Sequence, residues 1–367
     1  MNFRFAVISD PHIALPQTIW THPNRFHLVE VSIPALQLVL DRLVNLDLDF
    51  ILLPGDLTQD GEPENHAWLR DCLASLPFPA YVIPGNHDVL TPLPGPGNIG
   101  LHQFPQYYQA FGYTNPGQLY YCREILPGVQ LIGLNSNNFD GAGKQIGYVD
   151  EEQLQWLAAL LPTLKNGLIL VMIHHNVIEH LPGQSEHELG KRYMLNNAGE
   201  VLTLLKQYGV KLIFTGHLHV QDIAYQEGIY EITTGSLVSY PHPYRVIDVT
   251  QDRDNNITLN IQSDRVESVE GWETLAHKSR QWMADRSFPF MLRLLTSHPL
   301  NLPADEAEKL APSLRYFWSD VAAGDNYFDF DHFPPHVREY FRSFSAIDEG
   351  GNPQPIDNNT SLVIDYL

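Results

Sequence analysis

Six short apolar runs organise the first 214 residues: Phe5–Ile8, Phe50–Leu53, Ala80–Ile83, Val129–Leu134, Leu168–Ile173 and Lys211–Phe214. Their lengths and β-branched content predict buried strands. Helical patterns fall between them. Ser32 and Pro34 open one with Leu36, Val39, Leu40 and Leu43 on one face, and a second carries Trp68, Leu69, Cys72 and Leu73. A third starts at Asp150, with Gln153 three residues on as a capping box. A fourth runs from Asn197 to Tyr208 and is closed by Gly209. This alternation predicts a layered α/β fold.

Five of the six runs end in side chains that bind metals: Asp10 and His12; Asp56; Asn86, His87 and Asp88; His174 and His175; His217 and His219. In open α/β sheets, ligands bind beyond the carboxyl ends of the strands, so these five ends would converge on one crevice. Singly, each has an ordinary explanation. Asp10 and His12 could form a solvated turn, Asp56 could cap a helix, and His174 and His175 could be satisfied core histidines. The pair His217 and His219 is stronger, because alternate residues on an extended segment point one way. Five such ends in series are not explained by chance. Imidazole, carboxylate and amide oxygen without thiolate suit Zn, Fe or Mn. The donors exceed the needs of one ion, and two ions ~3.5–4 Å apart can activate water and clamp a phosphoryl group.

Charge narrows the partners. The chain has 43 acidic and 22 basic residues, for a net −21. That surface repels long nucleic acid. It also repels anionic substrates unless local positive charge overcomes the global field. Cys72 and Cys122 are the only cysteines, too few for a disulfide framework or a thiolate metal site. No run reaches the ~18 apolar residues that suggest a membrane span. The N-terminal residues read as a strand leading into Asp10, not as a secretory leader, so the expected location is cytoplasmic.

Together, Asp10-x-His12, Gly55-Asp56, Gly85-Asn86-His87-Asp88, His174 and Gly216-His217-x-His219 resemble the calcineurin-like metallophosphoesterases, over roughly residues 1–265. The resemblance implies a four-layer α/β/β/α sandwich with a dinuclear site on one edge. Asp10, His12 and His219 would hold one metal; Asn86, His174 and His217 would hold the other; Asp56 would bridge them. His87 would sit beside the leaving group or phosphoryl oxygens, oriented by Asp88. The implied cofactors are two divalent or trivalent transition-metal ions, Fe, Mn or Zn. GDLTQDGEPENH at 55–66, IPGNHD at 83–88 and the stretch Gly235 to Arg245 look most like the class III cyclic-nucleotide phosphodiesterase and glycerophosphodiesterase branch. The expected activity is hydrolysis of a small phosphodiester, such as a 3′,5′-cyclic nucleotide, by water activated between the metals. A phosphomonoesterase or a nucleotide pyrophosphatase is the alternative on the same site. A non-catalytic binding module is disfavoured by the intact ligand set. The expected partner is a small phosphate ester, and a homo-oligomer is left open. Asn135 and Asn176, where relatives commonly carry aspartate and proline, are expected to line the pocket.

From Ile229 the pattern changes. Ile229–Thr233, Tyr244–Val249 and Ile257–Ile261 read as strands of an antiparallel segment completing a second sheet. Residues 266–367 form a mostly helical, aromatic extension or cap, expected to pack on the rest of the chain or on another subunit. Two loops are expected to border the site: 11–31, with His22, Arg25, Phe26 and His27, and the Pro/Gly-rich 91–103.

Overall fold

The structure, a computed structural model, describes residues 1–20, 25–164, 167–348 and 350–365. Its strands are β1 (Asn2–Val7), β2 (Phe50–Leu53), β3 (Ala80–Val82), β4 (Tyr121–Leu126), β5 (Val129–Gly133), β6 (Asn137–Phe139) and β7 (Gln145–Gly147). They continue with β8 (Leu168–Met172), β9 (Leu212–Thr215), β10 (Asp222–Gln226), β11 (Ile229–Thr233), β12 (Pro243–Gln251), β13 (Ile257–Arg265) and β14 (Thr360–Ile364). Two six-stranded mixed sheets result, in the orders β14-β13-β12-β1-β2-β3 and β10-β11-β9-β8-β5-β4.

The sheets face one another across the main core. Phe5 of β1 stacks on Phe50 of β2 at 4.9 Å and meets Phe214 of β9 edge-on at 5.5 Å, which ties the two sheets together. Helices cover the outer faces. On the first sheet, α1 (Ser32–Val44) buries Leu36, Val39, Leu40 and Leu43, the face its periodicity marks, and α2 (Pro63–Ala74) buries Leu69 and Leu73. A short helix, α3 (Phe104–Tyr107), follows. On the second sheet, α4 (Glu151–Leu160) and α6 (Ala198–Gln207) pack Leu157, Val201 and Leu205 against Ile132, Val171 and Ile213, with α5 (Glu188–Lys191) between them in sequence. The α/β/β/α layering is as expected. The cap of α4 differs in detail. The Asp150 carboxylate accepts from Gln153 N at 2.8 Å, but the Gln153 side chain does not return to it. It bridges instead to Asn135, accepting from its N and donating to its O, each at 2.8 Å.

The late strands divide otherwise than the sequence suggested. β11 joins the second sheet parallel to β9, whereas β12 and β13 extend the first sheet, β12 antiparallel to β1. Local patterning marks a strand but not its partner, which the chain connections decide. The C-terminal region is mostly helical, with α7 (Leu275–Thr296), α8 (Ala304–Leu310), α9 (Phe317–Ala323) and α10 (Pro335–Arg342). It then returns as β14, paired antiparallel to β13. Its aromatic residues form a core of their own: Phe317 lies 4.8 Å from Phe328 and 4.9 Å from Phe341. Leu218 and Val220, next to His217 and His219, belong to that same core. Cys72 and Cys122 are free thiols. Among the described residues, no helix is long and apolar enough to cross a membrane.

Candidate metal centre

β1 runs parallel to β2 in one sheet and β8 parallel to β9 in the other, and the turns after them bring Asp10, Asp56, His174 and His217 together. The turns there are tight. Asp10, His12, Asp56, His217 and His219 all take left-handed φ, 49°, 40°, 48°, 66° and 59°. Such conformations cost non-glycine residues on the order of 1–3 kcal/mol each and gather at functional sites. Two glycines permit close approach: a Cβ on Gly85 would collide with the Asp56 carboxylate, and one on Gly216 with Ser9 and Asp10.

The donors form two groups that share one residue. Donor atoms of Asp10, His12, Asp56 and His219 all lie within 4.8 Å of one another, and so do those of Asp56, His174 and His217. His219 Nε2 is 3.2 Å from Asp10 Oδ1, and His12 Nε2 is 3.8 Å from Asp56 Oδ2. On the other side, His174 Nε2 is 3.3 Å from Asp56 Oδ2 and 3.2 Å from Asn86 Oδ1. Within the first group, His12 Nε2 and His219 Nε2 face each other at 3.4 Å. With Asp10 and Asp56 beside them, these rings offer a cation two imidazole and two carboxylate donors. The donor set therefore fits bound metal ions.

Backbone contacts fix these rings. His174 Nδ1 donates to Pro54 O at 2.8 Å, leaving Nε2 for the centre, and His217 N donates to Asp10 Oδ1 at 3.1 Å. Burial and the neighbouring imidazoles hold His12, His27 and His217 well below the ordinary histidine pKa. Neutral imidazole is the form that binds metal. Burial pushes the Asp56 carboxyl up, but His174 and His87 outweigh it and hold it well below the usual range.

His87 and Asp88 part company. Burial opposes charge on His87, yet Asp56 and Asp60 prevail and raise its pKa to about 10. Its Nδ1 sits 2.7 Å from Gln59 O and 3.3 Å from Asp60 Oδ1. Asp88 does not hold it. The Asp88 carboxylate is fully buried and accepts from Leu57 N, Thr58 N, Thr58 Oγ1 and Gly85 N at 2.9–3.1 Å. Orientation of His87 thus falls to Gln59 and Asp60, and Asp88 ties the Asp56 turn to the Asn86 turn.

A cavity of about 840 Å³ opens over the centre. Arg25, Phe26 and His27 of the first loop line it, while His22 lies outside the described residues. His27 stacks on His12 with ring centroids 4.5 Å apart at 12°. Residues 91–103 do not line it, and neither do Asn135 and Asn176. Asn135 bonds Gln153 and Asn137, and Asn176 bonds Thr215 and Glu231, all internally. Arg245 is also internal, donating to Thr233 O at 2.9 Å and Asp357 O at 2.5 Å. Two props carry no mark in the local sequence. Asn137 donates to Gly85 O and Val89 O at 3.1 and 3.0 Å, and Gln145 to Asn86 O at 2.6 Å.

Residues 3–221 match the family model described as calcineurin-like phosphoesterase. The chain belongs to that family. It is 30% identical over 184 residues to a 3′,5′-cyclic-nucleotide phosphodiesterase from Nostoc sp., covering 49% of this chain and 60% of the relative. It is 29% identical over 192 residues to a probable glycerophosphodiester phosphodiesterase from Arcobacter nitrofigilis, covering 51% and 63%. To the 3′,5′-cyclic adenosine monophosphate phosphodiesterase of Escherichia coli K12 it is 27% identical over 176 residues, covering 47% and 55%. Each match thus spans less than two thirds of the relative's own length. A solved dimetal phosphatase from Danio rerio shares the fold at TM-score 0.51 and 17% identity, over 72% of this chain and 96% of that one. The C-terminal wall of the cavity lies beyond the family match.

Proposed function

We propose that this chain is a metal-dependent phosphodiesterase acting on small phosphodiesters, such as a 3′,5′-cyclic nucleotide. The observation that carries the reading is Asp56, whose carboxylate belongs to both donor groups. Asp10, His12 and His219 would hold one ion, Asn86, His174 and His217 a second, and Asp56 would bridge. Bound transition-metal ions, Fe, Mn or Zn, would supply Lewis acidity that neutralises phosphate charge and brings the pKa of water towards neutrality.

The remaining steps belong to the chain. Gln59 O and Asp60 occupy His87 Nδ1 and leave Nε2 for the cavity. With Nδ1 so held, Nε2 is the atom that would donate a proton to a departing alkoxide. Asp88, Asn137 and Gln145 hold the Asn86–His87 turn in place. The experiment is a panel of bis-p-nitrophenyl phosphate, p-nitrophenyl phosphate and cyclic AMP on metal-loaded protein, with metal content measured on the same sample. Diester hydrolysis with two bound ions, both lost in Asp56→Ala, is expected. A preference for the monoester would move the assignment to phosphomonoesterase. A folded protein holding one ion at saturating metal would refute the dinuclear site.

A further inference from the structure

The cavity over the metal centre reverses the charge of the chain that builds it. Five lining residues are basic, Arg25, Lys144, Lys191, Arg192 and Arg293, against two acids, Asp56 and Glu188. Over the whole chain, acids outnumber bases 43 to 22. Both lining acids are already engaged. Asp56 lies among the metal donors, and Glu188 pairs with Arg293 at 3.0 Å. Arg25 is likewise occupied by Glu30, 2.5 Å away. Lys144, Lys191 and Arg192 are exposed at the cavity and have no acidic partner among the described residues.

These three cations sit on one side of the centre. Arg192 O is 3.3 Å from His217 Nε2, which puts residues 191 and 192 beside that imidazole. Lys144 precedes Gln145, whose amide donates to Asn86 O at 2.6 Å. Arg192 is also held in position: it donates to Tyr193 Oη at 2.6 Å, and its guanidinium lies 4.7 Å from that ring's centroid. A simple diester carries one negative charge, which the metal centre itself would meet. The extra cations have no counterpart in such a substrate. Nor does the volume, which lies towards the upper end of the ~300–1,000 Å³ typical of small-molecule sites. Phe290 and Trp318 from the C-terminal region add apolar surface to the cavity wall for an organic arm.

We propose that the substrate is a phosphodiester carrying a second phosphoryl group, bound by Lys144, Lys191 and Arg192 on the Asn86–His217 side of the cavity. This rests on the phosphodiesterase reading above. The second phosphoryl group has two chemical sources, a terminal phosphate on one arm of the diester or a pyrophosphate link, whose cleavage would break a phosphoanhydride and release a phosphate in place of an alkoxide.

Three matched dinucleosides test it on metal-loaded full-length protein: adenylyl-adenosine with one linking phosphate, its 5′-phosphorylated form, and diadenosine diphosphate with a pyrophosphate link. Both kcat/KM and calorimetric Kd are measured, since binding reports even without turnover. At least one doubly phosphorylated ligand should exceed adenylyl-adenosine by about tenfold or more, ~1.4 kcal/mol, and which one does identifies the source. The advantage should shrink as salt is raised. In Lys191→Ala/Arg192→Ala and in Lys144→Ala, all at exposed positions, the ratio of doubly to singly phosphorylated ligand should fall towards one. Equal values for all three ligands, or a preference unchanged in the variants, overturns the proposal whether or not hydrolysis occurs. A binding preference without turnover on any of the three, or on bis-p-nitrophenyl phosphate and cyclic AMP, keeps it and refutes the phosphodiesterase reading instead.

Discussion

Trp282 of α7 donates its indole N–H to the carbonyl of Arg25 at 3.0 Å, and two residues on, His27 stacks flat against His12. The C-terminal region therefore holds the loop that brings a further imidazole to the candidate metal centre. The same helix supplies Met283, Phe290 and Arg293 to the cavity wall. The aromatic residues of 266–367 are thus a packed core whose near face belongs to the site.

Replacing Trp282 with Phe keeps most of the bulk and removes the donor. Loss of one partly buried hydrogen bond predicts a stability decrease of about 1 kcal/mol. It also predicts a several-fold fall in kcat/KM as the Arg25–His27 loop loosens, with metal content unchanged. Melting curves, metal analysis and kinetics on one preparation check this. Wild-type kinetics in Trp282→Phe would show that the loop needs no help from α7.

Asp88 takes four donors from two turns, so its removal should act on structure first. In Asp88→Asn, the amide group must face backbone N–H groups that now lack an acceptor. A loss of roughly 3 kcal/mol is expected, given that bonds to charged groups contribute ~1.5–3 kcal/mol. Metal affinity should fall ~10–100-fold, as for other residues that position ligands. Denaturant melts and metal titration measure both. Normal stability and normal metal binding with lost turnover would instead support the role the sequence motif suggests for Asp88, in the chemistry beside His87.

The centre was legible in the sequence because its residues are chemically unusual where they stand, polar ligands at the ends of apolar runs. Asp10, Asp56, His174 and His217 needed only the rule that parallel strands end together. What stayed hidden depends on contacts between distant segments. His27 lies fifteen positions beyond His12, and nothing local marks it as stacked there. Asp88 adjoins His87 in sequence, yet its partners are Leu57 and Thr58, thirty residues earlier. β14 was lost in a polar tail: Thr360–Ile364 buries only Leu362 and Ile364, and such a short alternation acquires meaning only against β13. The helices were plainer, because α1 and α6 carry their buried faces at helical spacing.

A pH dependence should arise away from the metals, at His180. Its Nδ1 lies 2.6 Å from Asp222 Oδ2 and its Nε2 3.0 Å from Glu231 Oε1. Burial lowers the pKa, but Glu231 and Asp222 prevail and raise it to about 9. The folded state therefore keeps a proton that the unfolded chain releases near 6.5. The stabilisation is full below about pH 6.5 and is lost as pH rises through about 9, a change of roughly 3 kcal/mol. Between pH 6.5 and 9 the wild-type melting temperature should fall more steeply than that of His180→Gln. Parallel curves for the two proteins over that window would show that His180 is not held protonated.

His87 gives the sharpest test of the chemistry. Its ring is fixed through Nδ1 by Gln59 O and Asp60, and it is not among the grouped metal donors. His87→Ala should therefore keep the metals. If the ring protonates the departing oxygen, the loss in rate depends on how much the leaving group needs a proton. For alkyl phosphodiesters, ~10²–10⁴-fold is expected. For p-nitrophenyl esters, whose phenolate departs unaided, the loss should be far smaller. His87→Gln keeps hydrogen-bonding capacity without an acidic proton and should behave as the Ala variant does on alkyl esters. Equal losses on both ester types, restored in part by Gln, would mean that His87 binds a phosphoryl oxygen and donates no proton.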